Sequence, residues 1–238
     1  MESTYHSLAN HVQQIWEEKR AKGHRRVIIA VAGPPGSGKS TITQEVARTV
    51  AGLPQGPLIA SISADGFHLS LDTLRMLPNS KELTARRGAP WTFDGDAVVE
   101  LIRRLQNSPD QIITAPTFDH AKKDPVPDGV KIGPEIQVCL VEGNYLLSKE
   151  APWDAIAGLV DERWLVTVDR DVAIRRIANR HLKAGIESTM EKALERTLNN
   201  DMPNSDFVMR TSQGRFDVEV ESVEVGSCIG APSPSCGS

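Results

Sequence analysis

An α/β fold, with helices covering both faces of a mostly parallel sheet in three layers, is what this sequence predicts. Three observations carry that expectation. Short β-branched runs alternate with stretches of helical periodicity along most of the 238 residues. One of those runs leads straight into the glycine-rich octet Gly33-Pro34-Pro35-Gly36-Ser37-Gly38-Lys39-Ser40. Polar clusters then recur just after the apolar runs, at 33–40, 65–68, 118–120 and 142–145. Open parallel sheets bind their ligands beyond the carboxyl ends of the strands, so these four clusters are expected to meet in one crevice.

Each element follows from its own residues. Tyr5, Leu8, Val12, Ile15 and Trp16 recur at helical spacing and predict an amphipathic helix before the first strand. Residues 26–32 are a β-branched run suited to a buried strand, and Ile42, Val46 and Val50 put a helix directly after the octet. A second strand is expected over 58–63, next to the first, with Asp65 at its end. Residues 69–93, with Pro78, Gly88, Pro90 and mixed charge, read as an irregular excursion with room for one short helix. Asp94 is placed to cap a helix whose apolar face is Val98, Leu101, Ile102 and Leu105. A short strand over 112–115 precedes a loop, and 121–134, rich in proline and glycine, reads as a polar surface connection. Buried strands are expected over 136–141 and 164–168, helices over 171–184 and 188–200, and an alternating edge strand over 217–225. The pattern amounts to one domain over 1–225, and 226–238 has the composition of a disordered tail.

Composition excludes several classes. With 27 Lys plus Arg against 31 Asp plus Glu, the net charge of −4 does not suit a general nucleic-acid binder. No apolar run approaches the roughly 18 residues of a membrane span. The polar start, with Glu2 near its front, is not expected to act as a secretory signal. Cys139 lies in an apolar run and is expected to pack as a small hydrophobe; Cys228 and Cys236 lie in the tail, as chance or as a labile pair. The cysteines show no metal spacing, and a reducing, cytoplasmic location fits them best.

The octet matches G-x-x-x-x-G-K-[ST], a phosphate-binding loop. Its glycines let successive N–H groups converge on phosphate oxygens, and the dipole of the following helix points the same way. Lys39 would reach the β/γ-phosphates of ATP and the Ser40 hydroxyl would hold Mg²⁺, with Thr41 beside them. Asp65 could accept a proton from a substrate hydroxyl, or could cap the turn before Gly66. Glu142 could hold Mg²⁺ from a strand end, or be a surface charge there. Arg176 and Arg180 share a helix face with Arg175 nearby; they could close over the nucleotide or form a solvated face. His68, His120 and His181 are candidate substrate groups, the first two favoured by their place after strands. Arg86, Arg87, Trp91, Phe93 and Asp94 fit an acceptor-binding wall, and equally a loop folded back on itself.

With these residues in view, the chain resembles the phosphoribulokinase/uridine kinase family of P-loop kinases, which includes the bacterial type I pantothenate kinases. The resemblance runs from about 27 to 215. It rests on the octet, Asp65-Gly66-Phe67-His68-Leu69, Arg87-Gly88-Ala89-Pro90 with Thr92-Phe93-Asp94, Ala115-Pro116-Thr117-Phe118-Asp119, Val141-Glu142-Gly143-Asn144-Tyr145-Leu146-Leu147 and Arg180-His181-Leu182. Their order is most similar to a branch of kinase-like proteins, some named as sugar-transport-associated. The resemblance implies a nucleoside-kinase-like P-loop NTPase core with an Arg-bearing helical lid at about 171–200. It implies Asp65 facing the acceptor hydroxyl and Glu142 near Mg²⁺ or the acceptor. The candidate substrate-binding residues among these clusters are Phe67, His68, Arg87, Phe93, Phe118, His120, Asn144 and Tyr145. Pro203-Asn204, followed by Val208 and Thr211, is similar to the pantothenate kinase stretch whose Asn faces the acceptor, which adds Asn204. Uridine kinases carry Arg-Asp where Asn179-Arg180 stands, which weakens a uridine assignment and favours Arg180 as the lid arginine.

The expected function is therefore transfer of the ATP γ-phosphoryl, with Mg²⁺, to a hydroxyl of a nucleoside, sugar or pantothenate-like metabolite. The rival is an ATPase or nucleotide-dependent switch without a small acceptor. No nucleic-acid or membrane partner is expected, and the family's habit of oligomerising leaves a homo-oligomer open.

Overall fold

In the computed structural model, residues 1–119 and 121–223 are described. The amphipathic N-terminal stretch is α1 (Glu2–Ala21), which buries Leu8, Val12 and Trp16. The first strand, β1 (Val27–Ala32), is buried along its whole length and feeds the phosphate loop and α2 (Lys39–Ala51). β2 (Ile59–Ser63) ends in a 3₁₀ turn, Ala64–Phe67. The excursion forms two short helices, α3 (Leu71–Met76), capped by Ser70, and α4 (Ser80–Ala85). Asp94 caps α5 (Gly95–Asn107) as expected, its carboxylate accepting from Ala97 N–H at 2.9 Å. β3 (Ile113–Asp119), β4 (Asp124–Ile132), β5 (Val138–Gly143) and β6 (Glu162–Val168) follow. Asp169 caps α6 (Arg170–Lys183), then come α7 (Met190–Arg196), a π-helical turn Thr197–Asp201, α8 (Met202–Ser212) and β7 (Val218–Ser222).

The central sheet runs β2-β5-β1-β6-β7 with every pairing parallel. Because side chains alternate across a strand, β1 supplies both layers of core. Val27, Ile29 and Val31 face α1 and α2, packing with Val12, Trp16, Ile42 and Val46. Ile28, Ala30 and Ala32 face the other way, with Val98, Ile102 and Leu105 of α5. Burial also pushes the thiol of Cys139, inside β5, up to about 12, so it is an unreactive packing group. No helix among the described residues is long and apolar enough to cross a membrane.

Four expectations are corrected. β2 does not lie beside β1, because β5 inserts between them and brings Glu142 next to both the phosphate loop and Ser63. The polar connection at 121–134 is largely a strand: β4 pairs antiparallel with β3 in a two-stranded sheet of its own. Pro125, Pro127 and Gly129 hid it, yet prolines are tolerated where a strand has an unpaired edge. The strand expected at 112–115 extends to Asp119 and belongs to that hairpin rather than to the parallel sheet. Finally, the helix expected to stop near residue 200 passes through the π turn into α8. Pro203 sits where the π turn passes into α8, and the chain stays helical through it. The late edge strand is present as β7; residues 224 and 225, Cys228, Cys236 and the remaining tail lie outside the described residues.

The hairpin is anchored at its base by Arg26, a residue with no sequence signal. Its guanidinium, in a side chain only 6% exposed, donates to the carbonyls of Gly133 (2.8 Å), Ile136 (3.2 Å), Leu105 (3.3 Å) and Pro109 (3.3 Å). These carbonyls come from the end of α5, the loop after it and the turn before β5. Arg26→Met keeps the volume but leaves the carbonyls without donors. It is expected to lower unfolding free energy by about 3 kcal/mol in urea titration.

Candidate active site

The phosphate loop owes its shape to two glycines in left-handed conformations, Gly36 (φ +77°) and Gly38 (φ +81°). A Cβ at Gly36 would also lie 3.0 Å from the Ala173 carbonyl of α6. Gly33 is needed for space: a Cβ there would meet the Val166 carbonyl and Ser37 Oγ at 2.7 Å. Pro34, Pro35 and Ser37 are buried in the loop, and Ser37 Oγ has no hydrogen-bond partner among the described residues. The loop rim, Lys39, Ser40, Thr41, Arg176 and Arg180 line a cavity of about 270 Å³. The two arginines differ within it. Arg176 donates to the Gly36 carbonyl (3.2 Å), Ser222 Oγ (2.9 Å) and the Val223 carbonyl (3.3 Å), so it seats the loop against β7. Arg180, one turn on, keeps 59% of its side chain exposed.

Glu142 lies beneath the loop, 5% exposed, and its Oε1 accepts from Ser40 Oγ at 3.0 Å. Burial raises its carboxyl above the usual range; the Lys39 ammonium opposes that shift, the Asp65 carboxylate reinforces it, and hydrogen bonds from Ser63 and Ser40 oppose it. A hydroxyl and a carboxylate in contact suit a hard cation that keeps water and phosphate as its other ligands. Ser40 and Glu142 thus fit Mg²⁺ bound with a nucleotide. Among the described residues no group of three or more His, Cys, Asp or Glu forms a metal cage.

Asp65 sits on the 3₁₀ turn after β2. The capping role open to it is performed instead by Ser63, whose Oγ accepts from Asp65 N–H at 3.3 Å. The Asp65 charge acts on Glu142, His68 and Tyr145, which places all four around one centre. His68 Nδ1 donates to the Asp65 carbonyl at 2.8 Å, and burial holds the imidazole below its ordinary pKa despite the carboxylate nearby.

Aromatic rings build the wall behind this centre. His68 lies 3.9 Å from Phe93 and 5.0 Å from Phe118 between ring centroids; Tyr145 meets Phe93 at 5.5 Å and Phe207 at 5.7 Å. The Tyr145 hydroxyl donates to the Gly88 carbonyl at 2.5 Å, and burial raises its pKa. Arg87 packs over Phe118 and donates to the Leu69 carbonyl (2.9 Å), Asp124 (2.7 Å) and the Lys123 carbonyl, clasping the hairpin to the excursion. The excursion therefore folds back on itself and forms a wall in doing so. Asn204 is buried, its Oδ1 facing Arg86 Nη2 at 3.5 Å. Asn144 is half-buried at the end of β5, and Phe67 packs into the core cluster under the sheet. His120 lies outside the described residues. The outer side of the wall, with Trp91, Phe93, Trp153 and Phe207, lines a cavity of about 440 Å³. Ser63, Trp153 and Phe207 carried no motif in the sequence; their roles arise from contacts between distant segments.

Glu142→Gln removes the charge while keeping the hydrogen bond with Ser40. It is expected to shift the Mg²⁺ concentration for half-maximal ADP binding upward by about tenfold, read by calorimetry across a Mg²⁺ series. An unchanged Mg²⁺ dependence would remove the carboxylate from the metal site.

Comparison with known proteins agrees with this geometry. The profile of the Phosphoribulokinase / Uridine kinase family matches residues 28–225. A Schizosaccharomyces pombe protein, provisionally named as a uridine kinase, is 39% identical over 206 residues, covering 87% of this chain and 86% of its own. The solved structure of a protein from Silicibacter sp. TM1040, described as a candidate fructose transport system kinase, superposes with a TM-score of 0.73 at 29% identity, covering 82% of this chain and 89% of that one. YFH7 of Saccharomyces cerevisiae shares the fold, with a TM-score of 0.80 at 21% identity over 92% of this chain and 99% of its own.

Proposed function

Because this chain belongs to the phosphoribulokinase/uridine kinase family, we propose that it is an ATP- and Mg²⁺-dependent kinase that phosphorylates a hydroxyl of a small polar metabolite. The observation that carries this reading is the grouping of Lys39, Ser40, Glu142 and Asp65 at one end of the sheet, coupled through Glu142. A nucleotide switch needs the first three but has no use for a carboxylate beside an aromatic wall. The names of the relatives, one for uridine and one for fructose transport, favour a sugar or nucleoside hydroxyl as the acceptor.

ATP·Mg²⁺ would supply the transferable phosphoryl and neutralise part of its charge. The loop N–H groups and Lys39 hold the β/γ-phosphates and stabilise charge that grows toward the bridging oxygen. Ser40 and Glu142 would hold the cation. Asp65 orients the acceptor hydroxyl and takes its proton as the oxygen attacks phosphorus, while ADP leaves. His68, Phe93 and Tyr145 exclude water from that side, which favours the acceptor over hydrolysis.

Substrate-dependent ADP release across nucleosides, sugars and pantothenate tests the reading; release unaffected by every acceptor would favour the ATPase alternative. With an acceptor in hand, Lys39→Ala is expected to abolish transfer and preserve the fold, a loss of several kcal/mol of transition-state stabilisation. Turnover within about tenfold of the parent would overturn the phosphate-loop assignment. Asp65→Asn is expected to lower kcat by roughly 10²–10⁴-fold with little change in KM for ATP. An unchanged kcat at saturating acceptor would make Asp65 a structural residue.

A further inference from the structure

The lid and the acceptor wall meet at the π-helical turn Thr197–Asp201, and the turn ends in a buried carboxylate. Single π turns are uncommon and concentrate at functional sites. Asp201 is 8% exposed, and two consecutive side chains of α6 converge on it. His181, itself buried, donates from Nε2 to Oδ2 at 2.9 Å. Arg180 places Nη2 3.9 Å from the other oxygen, Oδ1. A carboxylate this buried needs compensation: His181 supplies a hydrogen bond to one oxygen, and the guanidinium of Arg180, a residue that lines the phosphate cavity, lies at ion-pair distance from the other. An exposed arginine without an anchor would sample many rotamers, and closing it onto phosphate would cost that freedom. Asp201 narrows the choice before nucleotide arrives.

The opposite side of the same turn receives the acceptor wall. Arg86 Nη1 donates to the Asn199 carbonyl at 2.9 Å, and Asn200 Nδ2 reaches the Arg87 carbonyl at 3.5 Å. Arg87 in turn clasps the hairpin that carries Phe118. One turn of backbone therefore touches both the group that would meet the transferring phosphoryl and the segment that would hold its acceptor.

We infer that Asp201 is a positioning residue for phosphoryl transfer: it holds Arg180 at the mouth of the phosphate cavity, in register with the acceptor wall. The inference rests on the kinase reading above and on Arg180 as the lid arginine. It needs no knowledge of the acceptor to test. ADP with Mg²⁺ is titrated calorimetrically with and without fluoroaluminate, which occupies the place of the transferring phosphoryl. The parent is expected to gain affinity with fluoroaluminate. Arg180→Ala and Asp201→Asn are each expected to reduce that gain by about tenfold or more while ADP alone binds within about twofold of the parent. The double variant is expected to lose no more than Arg180→Ala alone, because one residue acts through the other.

A gain left intact in Asp201→Asn overturns the inference and leaves the kinase reading standing. So does an additive loss in the double variant, or a loss of ADP affinity equal to the loss of the gain, since either makes Asp201 a general structural residue. A parent with no gain overturns the phosphoryl-transfer reading beneath it. Should Asp201→Asn lack a cooperative melt, Asp201→Glu is read in its place: it keeps the charge on a longer arm, and positioning predicts the same selective loss.

Discussion

The buried carboxylate of Glu142 organises the site. A charge 5% exposed inside a parallel sheet persists only if its surroundings compensate it, and each compensating group belongs to a different part of the molecule. Ser40 comes from the first turn of α2, Lys39 from the phosphate loop and Ser63 from the end of β2. Asp65 adds a second negative charge close by, so two carboxylates share a small volume with one ammonium. That imbalance is what a bound divalent cation would relieve, and it gives the site a physical reason to take metal together with nucleotide.

Around that centre the fold separates two kinds of arginine. Arg26, Arg87 and Arg176 direct their forks at backbone carbonyls and hold elements together: the hairpin base, the excursion and the phosphate loop. Planar five-donor groups suit this, since one side chain satisfies several carbonyls from different segments. Arg180 differs, being largely exposed and facing a cavity and a carboxylate rather than a set of carbonyls. A sequence places Arg176 and Arg180 on one helix face as equals; only their partners distinguish a structural arginine from one free to serve chemistry.

The aromatic wall is built by return of the chain on itself. Leu69 and Asp94 backbone N–H groups bond to Thr92 and Phe67 carbonyls at 2.9 and 2.8 Å, so the excursion closes back on the end of β2. The β3–β4 hairpin then packs on the 3₁₀ turn that carries Asp65. At Gly66 a Cβ would lie 2.3 Å from the Pro116 carbonyl, so the hairpin approaches as closely as a glycine allows. The motif Asp65-Gly66 is thus explained twice, by the charge at one residue and by the clearance at the next.

The sequence by itself determined the phosphate loop, its strand and helix, the Asp94 cap, the amphipathic helix at the start and the convergence of 65–68 and 142–145 on the loop. Those features depend on neighbours in the chain: backbone conformation, periodicity and capping are local, and local chemistry is written in consecutive residues. Tertiary structure decided the rest. Strand order placed β5, not β2, beside β1, because parallel pairing is chosen by packing between segments more than a hundred residues apart. It revealed β4 behind its prolines, since an unpaired edge tolerates a missing N–H, and it carried the helix on through Pro203 into α8. It also decided that Ser63 caps the turn and frees Asp65, and that Asp201 meets Arg180. A buried charge selects its partners by distance in space, and no spacing along the chain encodes that distance.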